Sequence, residues 1–121
     1  MILVDTSVWI DHLRISDINL CRYCESGVVA THPFVIGELS LGSLRNRAAV
    51  LGTLKELPQV SVAQDEDVVG LIERRGLFGL GIGYIDAHLL AAVLLTPGTL
   101  LWTRDKRLQS AAWNLAIDAL P

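Results

Sequence analysis

Cysteine is scarce in this chain of 121 residues, positive charge has no surplus, and no apolar stretch is long. The two cysteines, Cys21 and Cys24, form a lone C-x-x-C pair. A structural zinc site takes four ligands, and no second pair supplies the other two. A thioredoxin-like pair opens a helix just after a strand, whereas this one falls inside a helical pattern, so two reduced, partly buried thiols are expected. The formal net charge of −3 and a pI near 5.5 exclude a bulk basic field. A polyanionic partner would need local patches: Arg45 with Arg47, Arg74 with Arg75, or Arg104 with Lys106 and Arg107. Taken singly, each patch reads as solvated surface. The longest strictly apolar run, Leu89 to Leu95, is far too short to cross a bilayer. Met1 to Val4 is too short for a signal peptide, and Asp5 interrupts it, so a cytoplasmic protein is expected. Gly76, Gly79, Gly81 and Gly83 lack dinucleotide-loop spacing and no strand precedes them, which leaves a flexible loop. Internal repeats, low-complexity tracts and linkers are absent.

What is present is apolar material, 51% of the residues, enough for a substantial core. The length predicts one domain over residues 1–121. Ile2 to Asp5 reads as a strand buried on both faces. Thr6 or Ser7 is placed to cap the following helix, and Ser16 or Asp17 the one after it. Val28 to Thr31 predicts a second strand, with Pro33 in the first turn of a helix that stops near Gly42. Asn46 to Leu57 is amphipathic and ends at Pro58. Val60 to Val62 predicts a short strand. Asp65-Glu66-Asp67 opens a helix closed by Arg74 and Arg75. Tyr84 to Leu95 predicts a buried helix, Thr99 to Trp102 a strand, Arg104 to Ala112 a helix, and Leu115 to Leu120 a last edge strand. Strands alternating with helices predict an α/β fold whose parallel sheet is covered on both sides.

Four acids fall at one kind of place in that pattern. Asp5 ends the first strand, Glu38 lies in a short helix after the second, Asp86 opens the most apolar helix, and Asp105 follows the strand at Trp102. In a parallel sheet such junctions share one edge. Each acid alone has an ordinary role as a helix cap, dipole partner or surface residue. Together they make a cluster that is costly to desolvate unless a cation joins it. Hard divalent ions take oxygen ligands of this kind.

At these residues the chain resembles the PIN-domain ribonucleases, with particular likeness to the toxins of VapBC toxin–antitoxin modules. Ile2-Leu3-Val4-Asp5-Thr6-Ser7 followed by Trp9-Ile10, Glu38-Leu39 with Gly42, Asp86-Ala87 with Leu89-Leu90-Ala91-Ala92, and Thr103-Arg104-Asp105 with Leu108 resemble that family's four motifs in order. The resemblance implies a three-layer α/β/α fold with a mostly parallel central sheet. It implies an endoribonuclease dependent on Mg²⁺ or Mn²⁺, cleaving RNA phosphodiesters with metal-activated water. It implies that Asp5, Glu38, Asp86 and Asp105 are the catalytic and metal-holding acids, with Thr6 and Thr103 as hydroxyl support. Arg104, Lys106 and Arg107 are then candidates for binding RNA phosphates. His88 departs from the small or apolar residue expected after the third motif and reads as a helix-face residue pointing elsewhere; His12 and His32 carry no better signal.

The resemblance also implies a cognate antitoxin and self-pairing as a homodimer. Val50, Leu51 and Leu54 offer an apolar surface for either contact, against which stands ordinary packing in the chain's own core. The alternative reading is a PIN-like module that binds RNA or protein without cutting. A haloacid-dehalogenase-like phosphotransferase needs a second Asp where Ser7 stands, and a receiver-like protein needs one where Val60-Ser61-Val62 leads to Ala63, so both fit badly.

Overall fold

The computed structural model describes residues 1–119. Three short strands form its sheet: β1 (Ile2–Val4), β2 (Val29–Ala30) and β3 (Leu100–Trp102). All pair in parallel in the order β2-β1-β3. Ile2 lies opposite both Val29 and Leu100, and Val4 opposite Trp102. Leu3, Val4, Val29, Ala30, Leu101 and Trp102 are all buried. Successive strand residues point to opposite faces, so both faces of the sheet are covered. The result is a three-layer α/β/α arrangement around a parallel sheet.

The covering helices begin and end where local chemistry dictates. After β1 come α1 (Thr6–Arg14) and α2 (Ile18–Glu25). Asp17 caps α2, its carboxylate accepting the Leu20 N–H at 3.0 Å. Helix α3 (Pro33–Ser40) starts with proline at its first position, and His32 caps it by accepting the Phe34 N–H. Helix α4 (Arg47–Glu56) buries Leu51 and Leu54 in the core, so this face is not a free docking surface. Helix α5 (Asp65–Arg75) has three acids in its first turn and two arginines in its last, both suited to the helix dipole. It stops at Gly76, whose φ of 62° is left-handed. Helix α6 (Tyr84–Leu95) buries every residue from Ala87 to Val93. Helix α7 (Lys106–Asn114) follows β3.

Two predicted strands are reduced to single bridges. Of Val60–Val62, only the preceding Gln59 pairs, with Thr31. The Val60 N–H reaches the Thr31 carbonyl at 3.0 Å, but the next residue to pair from the neighbouring segment would be Pro33, which has no N–H and already opens α3, so the ladder ends. At the other edge Leu101 pairs with Asp118 alone. Ala116, left-handed at φ 60°, turns the chain just before it. Leu120 lies outside the described residues. Cys21 is half-buried and Cys24 exposed, both as free thiols. Among the described residues no helix is long and apolar enough to cross a membrane.

Strand β1 is central, and the chain passes from it to β2 on one side and later to β3 on the other. The order therefore reverses beside β1. The C-terminal ends of β1 and β3 lie there, at the kind of switch point where open α/β sheets bind ligands.

Helix α6 tests this packing. Leu90 is 0% exposed and Leu95 51%. Leu90→Ala should cost about 2–5 kcal/mol, and Leu95→Ala no more than about 0.5 kcal/mol. Urea unfolding at unchanged m-value checks the contrast, and equal midpoints for the two variants would overturn the assignment of the buried face.

Candidate active site

Asp5 stands at the end of β1, where its N–H still bonds the Trp102 carbonyl at 2.9 Å. It is 6% exposed. Its side chain does not cap α1, although it occupies the cap position. Instead Oδ2 accepts two hydroxyls, from Ser7 and from Thr103, each at 2.7 Å. Those two hydroxyls lie 3.3 Å apart; with both protons given to Asp5, they meet as neighbours on a shared acceptor. Ser7 Oγ in turn accepts the Arg104 N–H, and Thr103 Oγ1 accepts the Asp105 N–H. Thr6 points another way and donates to Glu38 Oε1 at 2.7 Å. Neither Thr6 nor Ser7 is the helix cap that local sequence suggested, because carboxylates take both hydroxyls.

Asp86 sits at the third position of α6, half-buried, with Oδ2 accepting the Gly83 N–H at 3.0 Å. Its pKa is raised. Burial is the main cause, and the charges of Asp5, Asp105 and Glu38 add to it, opposed by the Gly83 N–H. All four acids therefore share one electrostatic neighbourhood. Asp105 caps α7 through Oδ1, which accepts the Arg107 and Leu108 N–H groups at 2.9 and 3.0 Å. Its ordinary helix-cap role is real, and it leaves Oδ2 as the oxygen available to a ligand. Among the described residues, no three His, Cys, Asp or Glu side chains are grouped tightly enough to hold an ion as they stand. The donor set itself, carboxylate oxygen backed by hydroxyls, is the chemistry of Mg²⁺ and Mn²⁺.

The cations divide. Arg104 is committed within the fold: its guanidinium pairs with Asp11 at 2.6 Å and with Asp17. That pairing neutralises it and sets it against its candidacy for phosphate. Arg47 bonds the Ser40 carbonyl. Lys106 and Arg107 stay exposed at the start of α7. Arg107 lies against Gly81, whose left-handed φ of 76° is what favours glycine there. With Leu80, Ser110, Ala111 and Asn114 these two cations line a cavity of about 220 Å³.

The sequence profile of the PIN domain family matches residues 2–114. The chain belongs to the PIN-domain family. It is 50% identical over 111 residues to Ribonuclease VapC32 of Mycobacterium tuberculosis strain CDC 1551 / Oshkosh, spanning 92% of this chain and 90% of that relative. Identity and coverage are the same for Ribonuclease VapC32 of strain ATCC 25618 / H37Rv. Within the PIN-domain family the likeness is thus to the VapC-type ribonucleases.

Two features escaped sequence reading. Ser7 shares the support of Asp5, and its only signal was a second hydroxyl two residues past a strand-end acid. His32 is a buried helix cap, and its signal was a polar residue immediately before the proline that starts α3. His88, expected to point away from the acids, is buried and bonds Asp65.

The raised pKa of Asp86 sets a test on this PIN domain. Below the unfolded value of 3.8 the carboxyl is protonated folded and unfolded alike. Above it, the unfolded group ionises freely while the folded one resists, so folding loses free energy as pH rises through that window. Asp86→Asn should therefore raise the melting temperature at pH 7 in chelator, with the gain gone near pH 3. A lower melting temperature than wild type at pH 7 would show that the ionised carboxylate does not carry that cost.

Proposed function

We propose that this chain is a divalent-metal-dependent endoribonuclease that hydrolyses RNA phosphodiesters and serves as the toxin of a VapBC-type pair. The observation that carries this reading is the placement of Asp5 at the end of β1, tied by hydroxyls to Thr103 beyond β3, with Glu38, Asp86 and Asp105 in the same electrostatic neighbourhood. The name of the relatives, Ribonuclease VapC32, supports it, as does the one contiguous core, which favours residues 1–121 as a single domain.

In this reading Asp5, Glu38, Asp86 and Asp105 hold one or more Mg²⁺ or Mn²⁺ ions. Such an ion supplies, when bound, Lewis acidity toward a phosphoryl oxygen and a water of lowered pKa. Ser7 and Thr103 fix one oxygen of Asp5 and so orient the other. Thr6 does the same for Glu38. Asp105, with one oxygen spent on α7, is the weakest ligand of the four. Lys106 and Arg107 hold flanking phosphates, and Arg104 shapes the fold. A cognate antitoxin is the protein partner in this reading. Self-pairing as a homodimer and a cytoplasmic location complete the proposal. A PIN-like module that binds without cutting draws on one observation, the open spacing of the acids.

Cleavage of structured RNA by the purified protein with Mg²⁺ or Mn²⁺ decides between them. Asp5→Asn and Asp86→Asn should abolish cleavage in folded protein, and wild-type rates in either would sink the site assignment. Lys106→Ala and Arg107→Ala should raise KM, leave kcat unchanged, and lower the salt slope of RNA binding by about 1 each. Mn²⁺ at ~100 times its dissociation constant should stabilise the wild type by about 2.7 kcal/mol, and Asp5→Asn by less. Equal shifts in melting temperature would show that the ion binds elsewhere.

A further inference from the structure

The cavity of about 220 Å³ at the start of α7 holds more chemistry than phosphate binding uses. Two walls enclose it. One is a single face of α7, since Lys106, Arg107, Ser110, Ala111 and Asn114 recur at helical spacing. The other is the loop before α6, which contributes Leu80. Gly79 and Gly81, left-handed at φ 72° and 76°, flank Leu80 and turn the chain on either side of it. Leu80 stands 42% exposed, while Leu77 at the root of the loop is buried. Both walls run into the acid cluster. Asp105 directly precedes Lys106 and caps α7, and the Gly83 N–H, two residues past Gly81, bonds Asp86. The lining is graded along α7. The two cations stand nearest the acids, and none of the three ion pairs among the described residues uses either. Ser110 and Asn114, both exposed, follow about one and two turns further on. A hydroxyl and an amide bring donors and acceptors together, whereas ionised phosphate oxygens call for donors alone. Leu80 and Ala111 are apolar and offer phosphate nothing. A flat group with apolar faces, donors and acceptors on its edge and a phosphate attached uses all of them. A nucleobase in an RNA strand is such a group. Cavities for drug-sized ligands measure about 300–1,000 Å³, so this smaller one suits a single base and not a base pair.

We propose that this cavity is a nucleobase subsite, in which one unpaired base beside the cleaved phosphodiester lays its face against Leu80 and the Arg107 guanidinium and presents its edge to Ser110 and Asn114. Bases stack on guanidinium planes as they do on aromatic rings, and an Asn amide meets two edge atoms of a base at once. Arg107 serves the base with its flat face and a phosphate with its N–H groups. Lys106 keeps that phosphate close to the acids. A base inside a duplex is stacked and paired, so the strand is open where it enters. Asn114 then decides which base is preferred, and Leu80 how tightly any base is held. This subsite rests on the reading of the chain as a ribonuclease whose acids include Asp5.

Cleavage at one mapped bond tests it. The wild-type protein with Mn²⁺ first fixes a cleaved bond in a structured RNA, and each nucleotide flanking that bond is then made abasic in turn. One position should cost about five- to a hundredfold in kcat/KM at that bond. Equal effects at every flanking position overturn the subsite. Leu80→Ala and Asn114→Leu should each slow cleavage of the intact RNA and shrink the abasic penalty, because the base then has less of a site to lose. A penalty of full size in both variants overturns the subsite. Asn114→Leu should also flatten the preference among the four bases at that position, whereas Leu80→Ala should weaken all four alike. An unchanged preference in Asn114→Leu overturns its role. Phe78, on the same loop and 64% exposed, does not line the cavity. Phe78→Ala should therefore keep the whole penalty, and its loss there would place the base elsewhere. All three substituted side chains are exposed, so melting temperatures should match the wild type. Asp5→Asn separates the layers. If it cuts RNA as the wild type does, the proposed acid site falls and this subsite with it. If it is inactive and no flanking base matters to the wild type, only the subsite falls.

Discussion

Asp5 is a carboxylate buried at the end of the central strand, and its burial requires protein groups to replace the water it gives up. Two hydroxyls do so, one from the first turn of α1 and one from the residue just past β3. This arrangement joins the ends of β1 and β3 through side chains where their backbone ladder stops. It also accounts for the loop at Thr103: its hydroxyl receives the Asp105 N–H while donating to Asp5, and Ser7 receives the Arg104 N–H. The turn that leads into α7 is therefore built on the same carboxylate that ends the central strand.

From that anchor the other acids follow. Glu38 is tethered by Thr6, the residue between Asp5 and Ser7, so three consecutive residues fix two carboxylates. Asp86 is held by a backbone N–H at the start of α6, and Asp105 by two at the start of α7. Helix N-termini favour negative charge, which lowers the cost of gathering these groups. It does not remove that cost: the pKa of Asp86 is raised, by its burial first and by the three other acids after it. A fold that assembles four acids in this way stores repulsion that a bound cation relieves.

The charged surface shows why residue type alone misleads. Arg104, Lys106 and Arg107 form one cluster in the sequence. In the fold Arg104 turns back to Asp11 and to Asp17, the cap of α2, and joins the α1–α2 connection to the loop after β3. Lys106 and Arg107 remain outside. The same holds for Leu51 and Leu54, whose helical spacing suits a docking face as well as a core, and which the neighbouring α3 covers.

The amino-acid sequence by itself determined which segments become helices and strands wherever a signal was local. The apolar run to Val4, Pro33 at the start of α3, the acidic turn of α5, Gly76 at its end, and the apolar length of α6 all act within a few residues, so they were legible. Asp5, Asp86 and Asp105 were legible too, because each lies at a strand end or helix start, whereas Glu38, well inside α3, stood out only by its place after the second strand. Long-range partnerships were decided only by tertiary structure. Val60–Val62 carries strand-forming residues, yet the segment it pairs with turns into α3 at Pro33, which ends the ladder. Ser7 and Thr103 are 96 positions apart and converge on one oxygen. His32 and His88 carry little signal singly, yet both are buried and pack against Phe34. Hydrogen bonds and desolvation act between neighbours in space, and a linear pattern does not say which residues those will be.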